Sequence, residues 1–179
     1  EALDSFKKAL ELEPKYTDAM NNIASVYMEK QDWKTALTYL RKVEEDPLYN
    51  YPYLVKWNIG WCYYKLGDKK NAKENLKQAV FYEEFMCLAW YVLGIIAKEE
   101  GASDEAVSNF QNAVKKNPKT PSKSCENYAL AHYELGLLYM QRQEPEKAKS
   151  HLETCVKLSS ADPTSQLYKD CSKMRDLNQ

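Results

Sequence analysis

The feature that most constrains the fold of this chain is an internal repeat. Residues 57–80 align with residues 91–114 at an offset of 34 residues, and the glycines and alanines of the two segments fall in register. The same frame extends to residues 21–43 and 133–155, whereas residues 1–16 match only its second half. A fixed period of about 20 to 50 residues is typical of repeat architectures, in which each unit buries its apolar face against its neighbours. The chain is therefore predicted to be a stack of similar units.

Small side chains occupy fixed positions in every repeat. When each repeat is numbered from 1 to 34, position 8 is Gly or Ala, position 20 is Ala, and position 24 is a large apolar residue. Two antiparallel helices approach closely only where a side chain is nearly absent, so these positions predict where the two helices of a repeat touch. Position 8 is Ala24, Gly60, Gly94 and Gly136; position 20 is Ala2, Ala36, Ala72, Ala106 and Ala148; position 24 is Phe6, Leu40, Leu76, Phe110 and Leu152.

Position 15 is predicted to end the first helix of each repeat. Gly67 and Gly101 occupy it in two repeats, where a glycine adopts the left-handed conformation at little cost, and Gln31 and Gln143 occupy it in the others. The two glycines of position 15 and the three glycines of position 8 account for all five glycines of the chain. Because none is left for a phosphate-binding loop, the sequence predicts no nucleotide and no other cofactor.

The pattern resembles the tetratricopeptide repeat, and the resemblance covers nearly the whole chain. It implies an all-α fold, a right-handed superhelical solenoid of antiparallel helix pairs with a C-terminal capping helix. Residue 1 falls inside a repeat, so the sequence is expected to belong to a longer chain. The expected parts of the single domain are the second helix of a truncated repeat at 1–16, full repeats at 17–52, 53–86, 87–128 and 129–161, and the capping helix at 162–179.

Two features depart from a strict 34-residue period. Repeats begin at residues 17, 53, 87 and 129, so two extra residues precede the second start and eight precede the last. Both insertions are predicted to lie between repeats, where a longer loop disturbs stacking least. In the capping helix, Asp162 is expected at the N-cap and Pro163 in the first turn, with Leu167, Cys171 and Met174 on one face.

The composition argues against several classes of function. The 25 Lys and Arg residues nearly balance the 26 Asp and Glu residues, so no overall field would draw the chain to nucleic acid or to an anionic membrane. No apolar run reaches the roughly 18 residues that cross a bilayer. The sequence therefore predicts neither a nucleic-acid partner nor a membrane-spanning segment.

Few residues are candidates for catalysis or metal binding. His132 and His151 are the only histidines, lie on different predicted helices, and are expected to be packing or surface residues. Carboxylates are scattered over outer faces, so the chain is predicted to have no catalytic site, no metal site and no enzymatic activity. The five cysteines show no C-x-x-C spacing. Cys62 and Cys155 stand at small apolar positions of the repeat and are expected to be free buried thiols.

The resemblance implies where a partner would bind. In tetratricopeptide folds, positions 2, 5, 9, 12 and 13 of the first helix line a concave face. Here they form a polar rim in the repeat starting at 17, whereas positions 2, 5 and 9 are apolar or aromatic in each of the next three repeats. We expect a groove for an apolar or amphipathic peptide, with Trp57, Trp61, Tyr91 and Tyr133 as anchors. The alternative is that these side chains pack against each other or lie under a flanking segment. The predicted groove residues are Leu54, Trp57, Trp61, Tyr64, Leu88, Tyr91, Ile95, Leu130, Tyr133 and Leu137.

The residues of that groove also distinguish between types of tetratricopeptide domain. Chaperone-binding domains hold a terminal carboxylate with cationic side chains, but Leu54, Leu88 and Leu130 stand at those places, so such a clamp is disfavoured. The junction at residues 42–80 is instead similar to the tetratricopeptide lipoproteins that act as pilotins for the type IV pilus secretin, because it contains a D-P-L-Y stretch, a proline-containing insertion and an N-x-G helix.

This second resemblance implies a function and a location. The full protein would be held at the periplasmic face of the bacterial outer membrane by a lipid anchor upstream of residue 1, and it would bind a secretin subunit during assembly. The alternative is a cytoplasmic tetratricopeptide adaptor that links regulatory or motility proteins. An upstream signal peptide with a lipobox would distinguish the two.

Overall fold

The computed structural model describes residues 2–178, and the regular secondary structure in that range is entirely helical. It contains ten α-helices and one short 3-10 helix, with no strand among the described residues. The chain divides into two compact units, the first ending at Glu84 and the second beginning at Phe85. The predicted all-α fold class is confirmed, and none of the helices within residues 2–178 is long and apolar enough to cross a membrane.

The first unit consists of five helices. Within it α2 packs on α3 and α4 packs on α5, while α1 contacts α2 and α3 contacts α4. The first insertion lies between α3 and α4, as the repeat spacing predicts. The helices are α1 (Ala2–Leu12), α2 (Thr17–Glu29), α3 (Trp33–Glu44), α4 (Pro52–Lys65) and α5 (Lys69–Tyr82).

The second unit consists of the other five helices and the 3-10 helix at Pro121–Lys123. Here α6 packs on α7 and α8 packs on α9, α7 contacts α8, and α10 covers α9. The second insertion lies between α7 and α8. The helices are α6 (Cys87–Glu99), α7 (Ser103–Asn112), α8 (Ala129–Gln141), α9 (Pro145–Ser159) and α10 (Gln166–Leu177).

The turns between paired helices use the predicted left-handed residue. Gly67 has φ of 82° and Gly101 has φ of 75°, and the two glutamines at the same repeat position, Gln31 and Gln143, have φ of 60° and 58°. In the first unit an aspartate then caps the next helix: the Asp32 carboxylate accepts the backbone N–H of Thr35 at 3.1 Å, and Asp68 accepts that of Asn71 at 3.0 Å. One helix therefore ends and the next begins within a few residues.

The helix pairs meet where the small residues predict. A Cβ atom built on Gly60 would lie 2.8 Å from Cγ of Leu76, and one on Gly136 would lie 2.6 Å from Cγ of Leu152. These distances are far inside van der Waals contact, so position 8 receives the side chain of position 24 from the paired helix. The alanines of position 20 in the four full repeats are all fully buried: Ala36, Ala72, Ala106 and Ala148.

The cysteines of the second unit form two disulfides. Cys87, at the start of α6, is bonded to Cys125 in the second insertion, and Cys155 of α9 is bonded to Cys171 of α10. The expectation that Cys155 is a free thiol was therefore wrong. Its repeat position does require a small buried side chain, but α10 brings Cys171 to a Cα distance of 5.9 Å, within bonding range. The prediction for Cys62, a free buried thiol, is confirmed.

The capping helix begins later than the sequence indicates. Ser165 occupies the N-cap and its hydroxyl accepts the backbone N–H of Tyr168 at 3.3 Å. The expected N-cap, Asp162, instead accepts the backbone N–H of Thr164 at 3.0 Å and so forms a turn before the helix. The N-cap was misplaced because the side chains of Asp162 and Ser165 can both accept a hydrogen bond from a nearby backbone N–H, and only Ser165 stands at the first helical turn.

Candidate functional site

Helix α4 carries a row of three aromatic side chains, which we call the aromatic row: Trp57, Trp61 and Tyr64. The rings of Trp57 and Trp61 are stacked with centroids 5.6 Å apart, and Trp61 and Tyr64 are also 5.6 Å apart. Spacings of four and three residues place these side chains on one side of the helix. The core face of the same helix consists of Val55, Ile59, Gly60 and Cys62, all of them buried.

The aromatic row is partly exposed along its length. Its three members and the neighbouring Leu54 are neither buried nor fully exposed. At the end of the row the Lys65 ammonium lies 5.1 Å from the ring centroid of Trp61, a cation–π distance, and 5.9 Å from that of Trp33. The row is thus an accessible apolar strip with a positive charge at its C-terminal end.

Tyr63 has a different role from its neighbours in the same helix. It packs against the buried cluster of the first unit, as its repeat position predicts. Its hydroxyl accepts a hydrogen bond from the Arg41 guanidinium at 3.2 Å, and that contact is the largest cause of the raised pKa of Arg41. Tyr63 therefore joins α3 to α4.

The second unit presents the remaining predicted groove residues on α6 and α8. Leu88 and Leu130 are 46% and 39% exposed, and the others are partly buried. Between the two helices the Lys98 ammonium pairs with the Glu134 carboxylate at 2.6 Å. The residues concerned are Leu88, Tyr91 and Ile95 on α6, and Leu130, Tyr133 and Leu137 on α8.

Tyr91 and Ile95 contribute to the packing of the second unit. The Tyr91 ring lies 5.7 Å from that of Phe110 and 5.2 Å from that of Tyr128, and Ile95 packs against the same buried cluster. Part of the predicted stripe of the second unit therefore contributes to its internal packing. Of the ten predicted groove residues, Trp57, Trp61 and Tyr64 form a partly exposed row of rings in contact, and the role of all ten in binding stays a prediction.

The two histidines contact each other inside the second unit. Nε2 of His132 lies 3.0 Å from the carbonyl oxygen of Glu126, so it must carry the proton that it donates. Neutral His132 then accepts at Nδ1, and His151 donates its Nδ1–H across 3.0 Å. Burial lowers the pKa of both imidazoles, that of His151 to about 4, with His132 as the second cause for His151. The pair is a neutral link between α8 and α9, with His132 buried and His151 half-buried.

Reactive or metal-binding chemistry finds little support in the described residues. No group of three or more His, Cys, Asp or Glu side chains within residues 2–178 could hold a metal ion. Burial raises the pKa of the Cys62 thiol to about 12, which keeps it protonated and unreactive at neutral pH.

Lys65 stands at repeat position 13, one of the positions that line the concave face, whereas Trp33 is not among the predicted groove residues. Lys65 stands four residues after Trp61 on the same helix, so the helical spacing accounts for its place beside that ring. Trp33 belongs to α3, and no local pattern indicates that it reaches the end of the row.

Comparison with known proteins gives one consistent family description. Two family profiles, both described as tetratricopeptide repeat, match the chain, one over residues 1–50 and the other over residues 55–80 and 129–162. No curated protein matches the chain by sequence. Many solved chains, 170 in all, match it by structure, so likeness to any one of them does not select a partner.

Three of these solved structures are informative. YrrB, described as a TPR protein with an unusual peptide-binding site, is 26% identical with a TM-score of 0.67 and covers 96% of this chain and 81% of its own. PilF of Pseudomonas aeruginosa is 16% identical with a TM-score of 0.75, covering 95% and 72%. PilW, described as a widely conserved type IV pilus biogenesis factor, is 19% identical with a TM-score of 0.70, covering 93% and 71%. At these identities PilF and PilW establish the shared fold.

Proposed function

This chain belongs to the tetratricopeptide repeat family, a family of protein-interaction scaffolds, and we propose that it serves as a pilotin-like assembly factor for a type IV pilus secretin. In this proposal it binds an apolar or amphipathic segment of the secretin along the aromatic row. The lipid anchor that the pilotin resemblance implies would lie upstream of residue 1.

The aromatic row is the observation that supports this proposal most directly. Trp57 and Trp61 are stacked on each other and partly exposed. Tryptophan and tyrosine supply large contact areas and are the residues most enriched at the energetic centres of protein interfaces. A stacked pair also needs little further ordering on binding, which lowers the entropic cost of association.

The disulfides support the proposed compartment. Bonded cysteines persist in oxidising environments, which include the bacterial periplasm, and are rare in the cytosol. Four of the five cysteines are bonded here, in the pairs Cys87 with Cys125 and Cys155 with Cys171. PilW, which shares this fold, is described as a type IV pilus biogenesis factor.

The test replaces the two stacked rings. The double variant Trp57→Ala and Trp61→Ala should bind the periplasmic region of the secretin from the same organism at least about tenfold more weakly in isothermal titration calorimetry. Its far-UV circular dichroism and melting temperature should stay near wild type. Phe81→Ala is the matched control, because Phe81 is an aromatic residue of the same unit that is 84% exposed on α5.

Two outcomes would contradict the binding surface. A large loss of helicity in the double variant would mean that the two rings are core residues, and unchanged affinity would mean that the secretin binds elsewhere. The compartment is tested separately. The cytoplasmic adaptor would be favoured if the full-length chain had no upstream signal peptide and lipobox, and if maleimide alkylated its cysteines in intact cells.

A further inference from the structure

The insertion between α3 and α4 forms a second surface of the first unit, separate from the aromatic row. Three cavities of about 610, 410 and 450 Å³ surround it, and Asp46 lines all of them. The row on α4 lines none of the three. This surface is therefore not explained by the proposed secretin groove.

Asp46 holds the insertion in a fixed shape. The hydroxyl of Thr17 donates to one carboxylate oxygen of Asp46 at 2.5 Å, and the backbone N–H of Leu48 donates to the other at 3.0 Å. The backbone N–H of Tyr49 donates to the Asp46 carbonyl at 3.2 Å. The contact with Thr17 joins residues 29 positions apart, so the insertion is fixed against the start of α2. A surface ordered in advance loses little entropy when a partner binds.

The cavity of about 450 Å³ is lined by tyrosines, and we call it the tyrosine cavity. Tyr16, Tyr49 and Tyr51 line it. Tyr51 is 51% exposed and Tyr16 is 42% exposed. The Tyr49 and Tyr51 rings meet edge to face with centroids 6.1 Å apart. Leu48, at the rim, is 85% exposed and offers an apolar contact to any chain that enters.

Carboxylates outnumber cations around these rings. Glu13, Asp18 and Asp46 line the tyrosine cavity, and Lys15 is the one basic residue among its lining residues. The field of Asp18 reaches the nearest ring, since it is the second cause, after burial, of the raised pKa of Tyr49. A cation above a tyrosine face is attracted by the ring as well as by the carboxylates. The chemistry of the cavity therefore selects a positive charge on an extended stem.

We propose that the tyrosine cavity is a docking site for a basic, extended segment of a partner protein. An arginine or lysine side chain of that segment would lie against Tyr16 and Tyr51 and pair with Glu13 and Asp18, while a neighbouring apolar side chain would contact Leu48. Charge complementarity favours this occupant over an apolar helix, for which carboxylates around the opening would be unfavourable.

The experiment uses a short fluorescein-labelled peptide that alternates arginine with proline and leucine, and the full 179-residue chain. Fluorescence anisotropy should show binding at low salt that weakens as the ionic strength rises. Two double variants probe the cavity: Tyr16→Ala with Tyr51→Ala removes the rings, and Glu13→Gln with Asp18→Asn removes charge. Each should weaken binding at least tenfold.

Matched controls separate this site from general attraction and from the secretin groove. The same peptide with glutamate for arginine should not bind. Glu146→Gln with Glu153→Gln removes two exposed carboxylates of α9 and should leave the affinity within twofold of wild type. The Trp57→Ala and Trp61→Ala variant should also bind the arginine peptide normally, so failure of the secretin proposal would not affect this result.

Three results would overturn the inference. They are equal binding of the arginine and glutamate peptides, equal weakening by the α9 control, and unchanged affinity in both cavity variants. Circular dichroism of each variant shows whether it is folded. If Tyr16→Ala with Tyr51→Ala unfolds the unit, the charge variant decides alone, because its exposed side chains can lose their charge without a change in volume.

Discussion

Gly94→Ala should destabilise the second unit, because the added methyl group has no space. A Cβ atom on Gly94 would lie 2.5 Å from Cε1 and 2.6 Å from Cδ1 of Phe110. Ordinary contact between carbon atoms is about 3.5 to 4.0 Å, so the ring would have to move by about 1 Å. Phe110 is fully buried and its ring also contacts Tyr91, which limits that movement.

The magnitude follows from two opposing contributions. Overpacking of a close-packed core costs about 1 to 3 kcal/mol, and the rigid ring places this site at the upper end. Replacing glycine by alanine inside a helix recovers about 1 kcal/mol. We expect a net loss of about 2 kcal/mol in the free energy of unfolding. Gly136→Ala should cost less, because the atoms it meets belong to the flexible side chain of Leu152.

A double-mutant cycle gives the decisive measurement. The first complete repeat has Ala24 and Leu40 at the equivalent positions, both fully buried. Gly94→Ala combined with Phe110→Leu reproduces that combination, so the two changes together should cost at least about 1 kcal/mol less than the sum of the single changes. Urea denaturation without reductant, with hydrogen exchange of α6 and α7 peptides, would measure each free energy. Strict additivity, or a neutral Gly94→Ala variant, would refute the packing argument.

Two further predictions concern the turns and the histidine pair. Gln31→Gly and Gln143→Gly should each raise the free energy of unfolding by about 0.5 to 1 kcal/mol, because both glutamines have positive φ. Gly67→Ala should lower the free energy of unfolding for the same reason. Thermal melts that rank these variants in another order would contradict the strain argument. Stability should fall by about 1 to 2 kcal/mol as the pH drops from 6.5 to 4, because unfolded His151 takes up a proton at its ordinary pKa of 6.5 whereas the folded pKa is about 4, and the partial exposure of His151 to solvent screens part of the shift. This contribution to stability is complete above pH 6.5 and is lost on acidification. His151→Asn should remove this pH dependence from the urea midpoints measured between pH 6.5 and 4. An unchanged pH profile in the variant would show that His132 or other groups carry the effect.

The fold was predictable because its constraints are local and repeat. The small residue at position 8 meets position 24 of the same repeat only 16 residues later, as in Gly60 with Leu76, and the turn residue at position 15 has positive φ in every full repeat. Such contacts occur at a fixed spacing, so a single chain contains several independent copies of the same signal. The separation of Tyr63 from Tyr64 followed from the same frame.

The repeat pattern was therefore enough to predict the helix pairs, their turns and the packing positions between them. Contacts between side chains outside that repeat frame depend on how the helices and loops are arranged in space. The bond between Cys155 and Cys171, the hydrogen bond between His132 and His151, and the contact of Thr17 with Asp46 all depend on the paths of loops and on side-chain rotamers. Periodicity carries no information about either. For the same reason the sequence placed Tyr91 on a groove face, but only the packed second unit shows its ring held between Phe110 and Tyr128.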